Sequence, residues 1–206
     1  MDLLSPGLRM FSTGIGLEIV QAVNKFNEDT KGEDELQVIL RGHLYIEHEI
    51  EKLLRLELAE PDYILKNNRL MFANKVNLAV ALGLLPKNRK TMYEKLNSIR
   101  NNYAHQLDFE LDEKHLNGIV SCMDKEVKDR YVGSSENTLL ENMKCAISAL
   151  WLDAILRVYW YRADELQEEM DRVDELYMMK ENPLSDEELQ KKSEEVMRKV
   201  NELFPD

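Results

Sequence analysis

The sequence predicts an all-α fold: an antiparallel helical bundle carrying an acidic helical extension at its C-terminal end. Three observations lead there. Glycine and proline, the residues that interrupt helices, number only 8 and 5 in 206 residues. Apolar residues recur at spacings of three and four nearly throughout, which gathers them on one side of a helix with 3.6 residues per turn. The interruptions that do occur, at Gly32, Pro61, Pro86, Gly133 and Asn182-Pro183, cut the chain into pieces of helical length.

Taken in order, the first helix is predicted over about Thr13 to Phe26, with a polar loop from Asn27 to Gly32. The second spans about Glu33 to Ala59 and is expected to turn Leu36, Ile39, Leu40, His43, Leu44, Ile50, Leu53 and Leu54 inward, with Pro61 beyond its end. The third, about Arg69 to Leu84, has a stripe of Phe72, Val76, Ala79 and Gly83, and Pro86 opens a basic connection. The fourth, about Arg89 to His105, packs through Met92, Leu96 and Ile99 or Tyr103. The fifth, about Glu113 to Asp129, presents Leu116, Ile119, Val120 and Met123. Thr138-x-x-Glu141 forms a capping box, in which each residue can satisfy the other's unpaired backbone N–H. It opens a long sixth helix that runs past Trp160 towards Lys180.

Ser185-x-x-Glu188 is a second box, opening a last helix with a seam of Leu189, Ser193, Val196, Val200 and Leu203. That seam either docks on its own domain or meets a protein partner or second protomer. The chain is thus expected to divide into a bundle over residues 1–165 and a charged extension over 166–206.

The formal net charge is −12, which argues against a general nucleic-acid coat. Its distribution matters more than its total. Residues 164–206 hold fifteen acidic and six basic side chains, so the body before them is nearly neutral. Within the body, Lys87, Arg89, Lys90, Lys95 and Arg100 are interrupted only by Glu94. No apolar run reaches 18 residues, so no membrane span is expected. The two cysteines are not in a C-x-x-C arrangement and read as reduced thiols of a cytoplasmic protein. No Gly-rich phosphate loop or G-x-S-x-G is present. His43 and Glu47 stand at helical ligand spacing without a second ligand pair, so neither a metal nor a cofactor is expected.

The segment carrying most chemistry is Leu96-Asn97-Ser98-Ile99-Arg100-Asn101-Asn102-Tyr103-Ala104-His105. Arginine stays charged at any relevant pH and holds a phosphate through two hydrogen bonds. Histidine titrates near neutrality unaided and can give or take a proton. Spacing alone is a weak signal among eleven arginines and four histidines; the weight comes from the basic approach and the placement at a helix end. Asn101 and His105, four apart, share a face, whereas Arg100 is five from His105 and about 140° round the helix. A working site therefore needs a frayed helix end or a second chain, and a two-fold axis would bring both Arg and both His to one cleft. Arg41, His43 and Glu47 on the second helix either line that cleft or form a buried polar pair that fixes packing.

Arg100-Asn101-x-x-x-His105 at the end of a helical bundle resembles the HEPN superfamily, whose motif is Arg, four to six residues, then His, often with Asn after the Arg. Leu40-Arg41-Gly42-His43-Leu44-Tyr45-Ile46-Glu47 and the segment Phe72 to Leu84 are similar to its mannitol-repressor-like branch. The resemblance covers about residues 33–160. It implies a homodimeric bundle and, in active members, metal-independent cleavage of RNA by the ribose 2′-hydroxyl, often in toxins or phage-defence effectors. Arg100, Asn101 and His105 would be catalytic, with Arg41, Glu47, Lys87, Arg89, Lys90 and Lys95 supporting RNA binding. The position two residues after His105, a tyrosine in several toxin members, is Leu107. The branch also contains regulators of transcription and protein-binding members, which is the alternative function.

Overall fold

A computed structural model of the chain describes residues 21–66 and 70–178, and of residues 164–178 only the backbone. The described residues are all-α, with no strand among them. The chain divides into two units, Met1–Val158 and Tyr159–Asp206. The C-terminal seam from Leu189 to Leu203 and the second capping box lie outside the described residues.

In the first unit, residues 21–29 are helical (α1). They are followed by α2 (Glu35–Glu57), α3 (Pro61–Leu65) and α4 (Phe72–Ala81). A 3-10 turn (Lys87–Arg89) leads into α5 (Lys90–His105), then come α6 (Glu113–Val120), α7 (Lys125–Lys128) and α8 (Leu139–Met178), of which residues 139–158 belong to this unit. The cap signals work as the sequence writes them. Thr138 Oγ1 accepts from the Glu141 N–H at 3.2 Å while the Glu141 carboxylate accepts from the Thr138 N–H at 2.7 Å. A further capping box, Asp34 with Gln37, starts α2. The predicted fifth helix is instead two pieces. Asp124 caps α7 by accepting from the Val127 N–H, and an Asp that bonds its own backbone competes with helix continuation. Gly83, at φ +79°, ends α4 earlier than predicted; glycine adopts this left-handed conformation without steric cost.

The core of this unit joins α2, α4, α5, α6 and the first part of α8. Val38, Ile39, Ile46, Ile50, Leu53 and Leu54 of α2 are buried, as are Met92, Leu96 and Ile99 of α5. Burial of each such side chain stabilises by roughly 1.5–3 kcal/mol. Gly42 is where α2 meets α8: a Cβ there would stand 2.4 Å from Ile147 Cγ2, so only glycine lets the helices approach this closely. Next to it, Tyr45 stacks on Trp151 at 4.9 Å. Trp151 is thus core, whereas Trp160 is exposed.

One expectation is corrected. Leu36, Leu40 and Leu44, expected on the inner side of α2, are exposed, Leu44 by 64%. Residues four apart advance by 400°, so this stripe rotates about 40° with each step. The buried face instead follows Val38, Gly42, Glu49 and Leu53 with Ile39, Ile46 and Ile50.

Candidate functional site

α2 and α5 run antiparallel. His43 of α2 meets Asn97 of α5 (Nε2 to Oδ1, 3.1 Å), while Glu35, two turns earlier, accepts from the Tyr103 hydroxyl at 3.0 Å. Between these contacts lies Arg100. Its guanidinium is half-buried and donates through Nη1 to Asn101 Oδ1 at 3.0 Å. Among the described residues no carboxylate pairs with it. His105 closes α5 and is exposed, as is Leu107 after it. Because α5 is regular to its last residue, Arg100 and His105 remain about 140° apart. One chain does not bring them together.

The other predicted residues take separate roles. Arg89 leaves the surface altogether. It is buried, holds Asp124 at 2.7 Å and also pairs with Glu126 and Asp153. Asp153, itself buried, accepts from the Tyr93 hydroxyl at 2.9 Å, and Arg130 stands 3.6 Å away. The desolvation of Tyr93 beside Asp153 pushes its hydroxyl well above the usual phenol range. Lys90 is tied to Glu94 at 3.3 Å. Lys87 and Lys95 are exposed. Lys95 lies on the α6 side of α5, near Gly118, away from Arg100. Arg41 is exposed and paired with Glu33.

Glu47 belongs to a polar cluster at the junction of α2, α4 and α5. Lys75, almost wholly buried, donates to Glu47 at 2.6 Å and to Glu51. These carboxylates raise the Lys75 ammonium above its ordinary value although burial opposes them. His43 Nδ1 stands 3.8 Å from Glu47 Oε2, and the ring packs 4.3 Å from Phe72. Burial lowers the His43 imidazole below its ordinary value; the nearby Arg100 and Lys75 charges act in the same direction and Asn97 and Glu47 oppose it. His43 is therefore neutral at physiological pH. Sequence reasoning places His43 and Glu47 together on α2 but misses Lys75 and Asn97. Both sit at positions whose apolar neighbours conceal them: Lys75 follows Phe72 by three, and Asn97 follows Leu96.

No known protein family matches this chain, and neither does any curated protein or solved structure.

His115 fills a capping role, its Nδ1 accepting from the Asp112 N–H at 3.2 Å, and His48 is exposed. Among the described residues no group of three or more His, Cys, Asp or Glu side chains is disposed to hold a metal ion. No described helix is long and apolar enough to cross a membrane.

Proposed function

We propose that this chain is a metal-independent endoribonuclease of the HEPN type in which two copies form one cleft. The observation that carries the reading is the state of Arg100: half-buried, bonded to an amide, and not neutralised by any described carboxylate. Eight other described arginines and lysines, Arg89 and Lys75 among them, are each paired with a carboxylate. An unneutralised guanidinium suits a phosphodiester.

In the proposed reaction, His105 of one copy takes the proton of the ribose 2′-hydroxyl, and the oxygen attacks the adjacent phosphorus. Arg100 offsets the charge that builds on the phosphorane-like transition state. His105 of the other copy gives a proton to the departing 5′-oxygen. The products are a 2′,3′-cyclic phosphate and a free 5′-hydroxyl. The 140° between Arg100 and His105 supports a two-chain cleft, and the exposed Leu36, Leu40 and Leu44 of α2 offer apolar surface for a protein contact. Such an activity would suit a toxin or phage-defence effector. The same exposed leucines favour the second reading, a mannitol-repressor-like regulator that binds a protein and cleaves nothing.

The test is incubation of the full chain with total cellular RNA in EDTA. Wild type is expected to cleave and leave cyclic phosphate ends, and Arg100→Ala and His105→Ala to lose about a hundredfold or more in rate. Absence of cleavage by wild type across several RNAs, or cleavage unchanged in both variants, moves the assignment to the regulator. A monomeric mass in solution at micromolar concentration removes the shared cleft.

A further inference from the structure

The structure points to an anion-binding ledge on α5 that has three members, not two. We infer that Asn97 joins Arg100 and Asn101 in holding a phosphate of RNA, and that His43 is the residue that aims Asn97 outward. The inference rests on the proposed role of Arg100 and adds a binding residue and a positioning residue to it.

Helix geometry groups the three residues. Asn97 and Asn101 are four apart on a regular helix, and Arg100 is three after Asn97, so the three side chains are neighbours on one strip of α5. All three are half-buried. A primary amide offers one acceptor oxygen and two N–H donors, and which end faces a ligand depends on what holds the other. Here both oxygens are held. Asn101 Oδ1 accepts from Arg100 Nη1 at 3.0 Å. Asn97 Oδ1 faces His43 Nε2 at 3.1 Å, so that ring nitrogen carries the hydrogen and donates. Two NH2 groups and the remaining guanidinium N–H groups are left over, and no described residue accepts from the Asn97 NH2.

The carboxylates around the strip are engaged elsewhere. Glu94, one turn before Asn97, is taken by Lys90 at 3.3 Å. Glu47 and Glu51 are taken by Lys75. Glu35 accepts the Tyr103 hydroxyl. No described carboxylate accepts from Asn97, Arg100 or Asn101, so the ledge presents donors and a cation, which is the chemistry a phosphodiester oxygen needs. His43 is suited to its task because it is buried and packed on Phe72.

The experiment is binding of a labelled 2′-O-methyl oligoribonucleotide, which lacks the attacking hydroxyl, to the full chain, measured by fluorescence anisotropy at low salt. Asn97→Asp keeps the oxygen that faces His43 and replaces the outward NH2 by a carboxylate oxygen. It is expected to keep or raise the thermal midpoint while weakening binding about tenfold or more. His43→Gln, which retains a donor near the Nε2 position, is expected to bind within about threefold of wild type, and His43→Leu to lose about as much as Asn97→Ala. Asn97→Asp that is folded and binds like wild type overturns the inference while leaving the role of Arg100 standing. Arg100→Ala that binds like wild type, or a wild type that does not bind, overturns both.

Discussion

Arg89, in the turn before α5, and Arg100, in its second half, stand eleven residues apart, and the chain treats them in opposite ways. Arg89 is buried and surrounded by Asp124, Glu126 and Asp153. Arg100 is half-buried and, among the described residues, meets Asn101 and, through space, a neutral His43. A guanidinium taken out of water costs several kcal/mol unless carboxylates compensate it. Among the described residues the carboxylates are present around Arg89 and absent around Arg100. Arg89 is thereby consumed in tying the start of α5 to α7 and α8, whereas Arg100 keeps its capacity for an anion that arrives from outside. In the sequence both belong to one basic run; what separates them is the charge that other helices bring.

The largest expected effect separates the two ends by stability. Arg89→Leu leaves Asp153 buried without its principal counter-charge and is expected to cost about 3–5 kcal/mol. Arg100→Leu, with no ion pair to break, is expected to cost about 0.5 kcal/mol or less. Urea denaturation of both variants measures this directly. Equal destabilisation would mean that Arg100 is as much a structural residue as Arg89, and the contrast would collapse.

The helices are legible in the sequence because their signals are local. The Thr138 box, the proline before α5 and the stripe of Met92, Leu96 and Ile99 all depend on residues within a few positions of one another. The candidate site is legible only as far as it lies on α5. That Arg100 and His105 diverge follows from helical spacing alone. That Arg89 is internal does not, since Asp153 lies 64 positions away and no local pattern links them. Asn97 is hidden for the same reason: its meaning comes from His43, 54 positions earlier. The exposure of Leu36, Leu40 and Leu44 shows the opposite failure, a true local period that belongs to a surface stripe rather than the core.

A second, smaller effect sharpens the Arg100 end through pH. Burial holds the His43 imidazole below its ordinary value of 6.5, so near pH 6 the unfolded chain binds more protons than the folded one. Its contribution to stability is complete above 6.5 and is lost as the pH falls, by at most about 1.4 kcal/mol per pH unit for one proton. The charged groups facing the ring are Glu47 of its own helix, Lys75 of α4 and Arg100 of α5. Urea midpoints at pH 7.5 and pH 5.5 are expected to differ more for wild type than for His43→Gln, by roughly the amount that one withheld proton supplies. An equal difference would place the pH response elsewhere and free His43 from its buried, neutral role.

The smallest effect tests whether the basic run acts as a surface or as a set of separate residues. Lys95 is exposed, but it projects on the α6 side of α5, about 160° from Asn97 around the helix. An RNA strand held at Asn97, Arg100 and Asn101 as proposed would not reach that side. Lys95→Ala is therefore expected to change affinity for the 2′-O-methyl oligonucleotide by less than about twofold. It should also leave the dependence on salt unchanged, because removing one lysine that neutralises a phosphate makes the slope of log affinity against log salt shallower by about 0.7 for a single strand. A slope made shallower by that amount would mean that the strand crosses α5 and that charge alone, gathered along the run, guides it. An unchanged slope would mean that the carboxylates of neighbouring helices have selected which cation of the run remains for a ligand, and that the selection falls on Arg100.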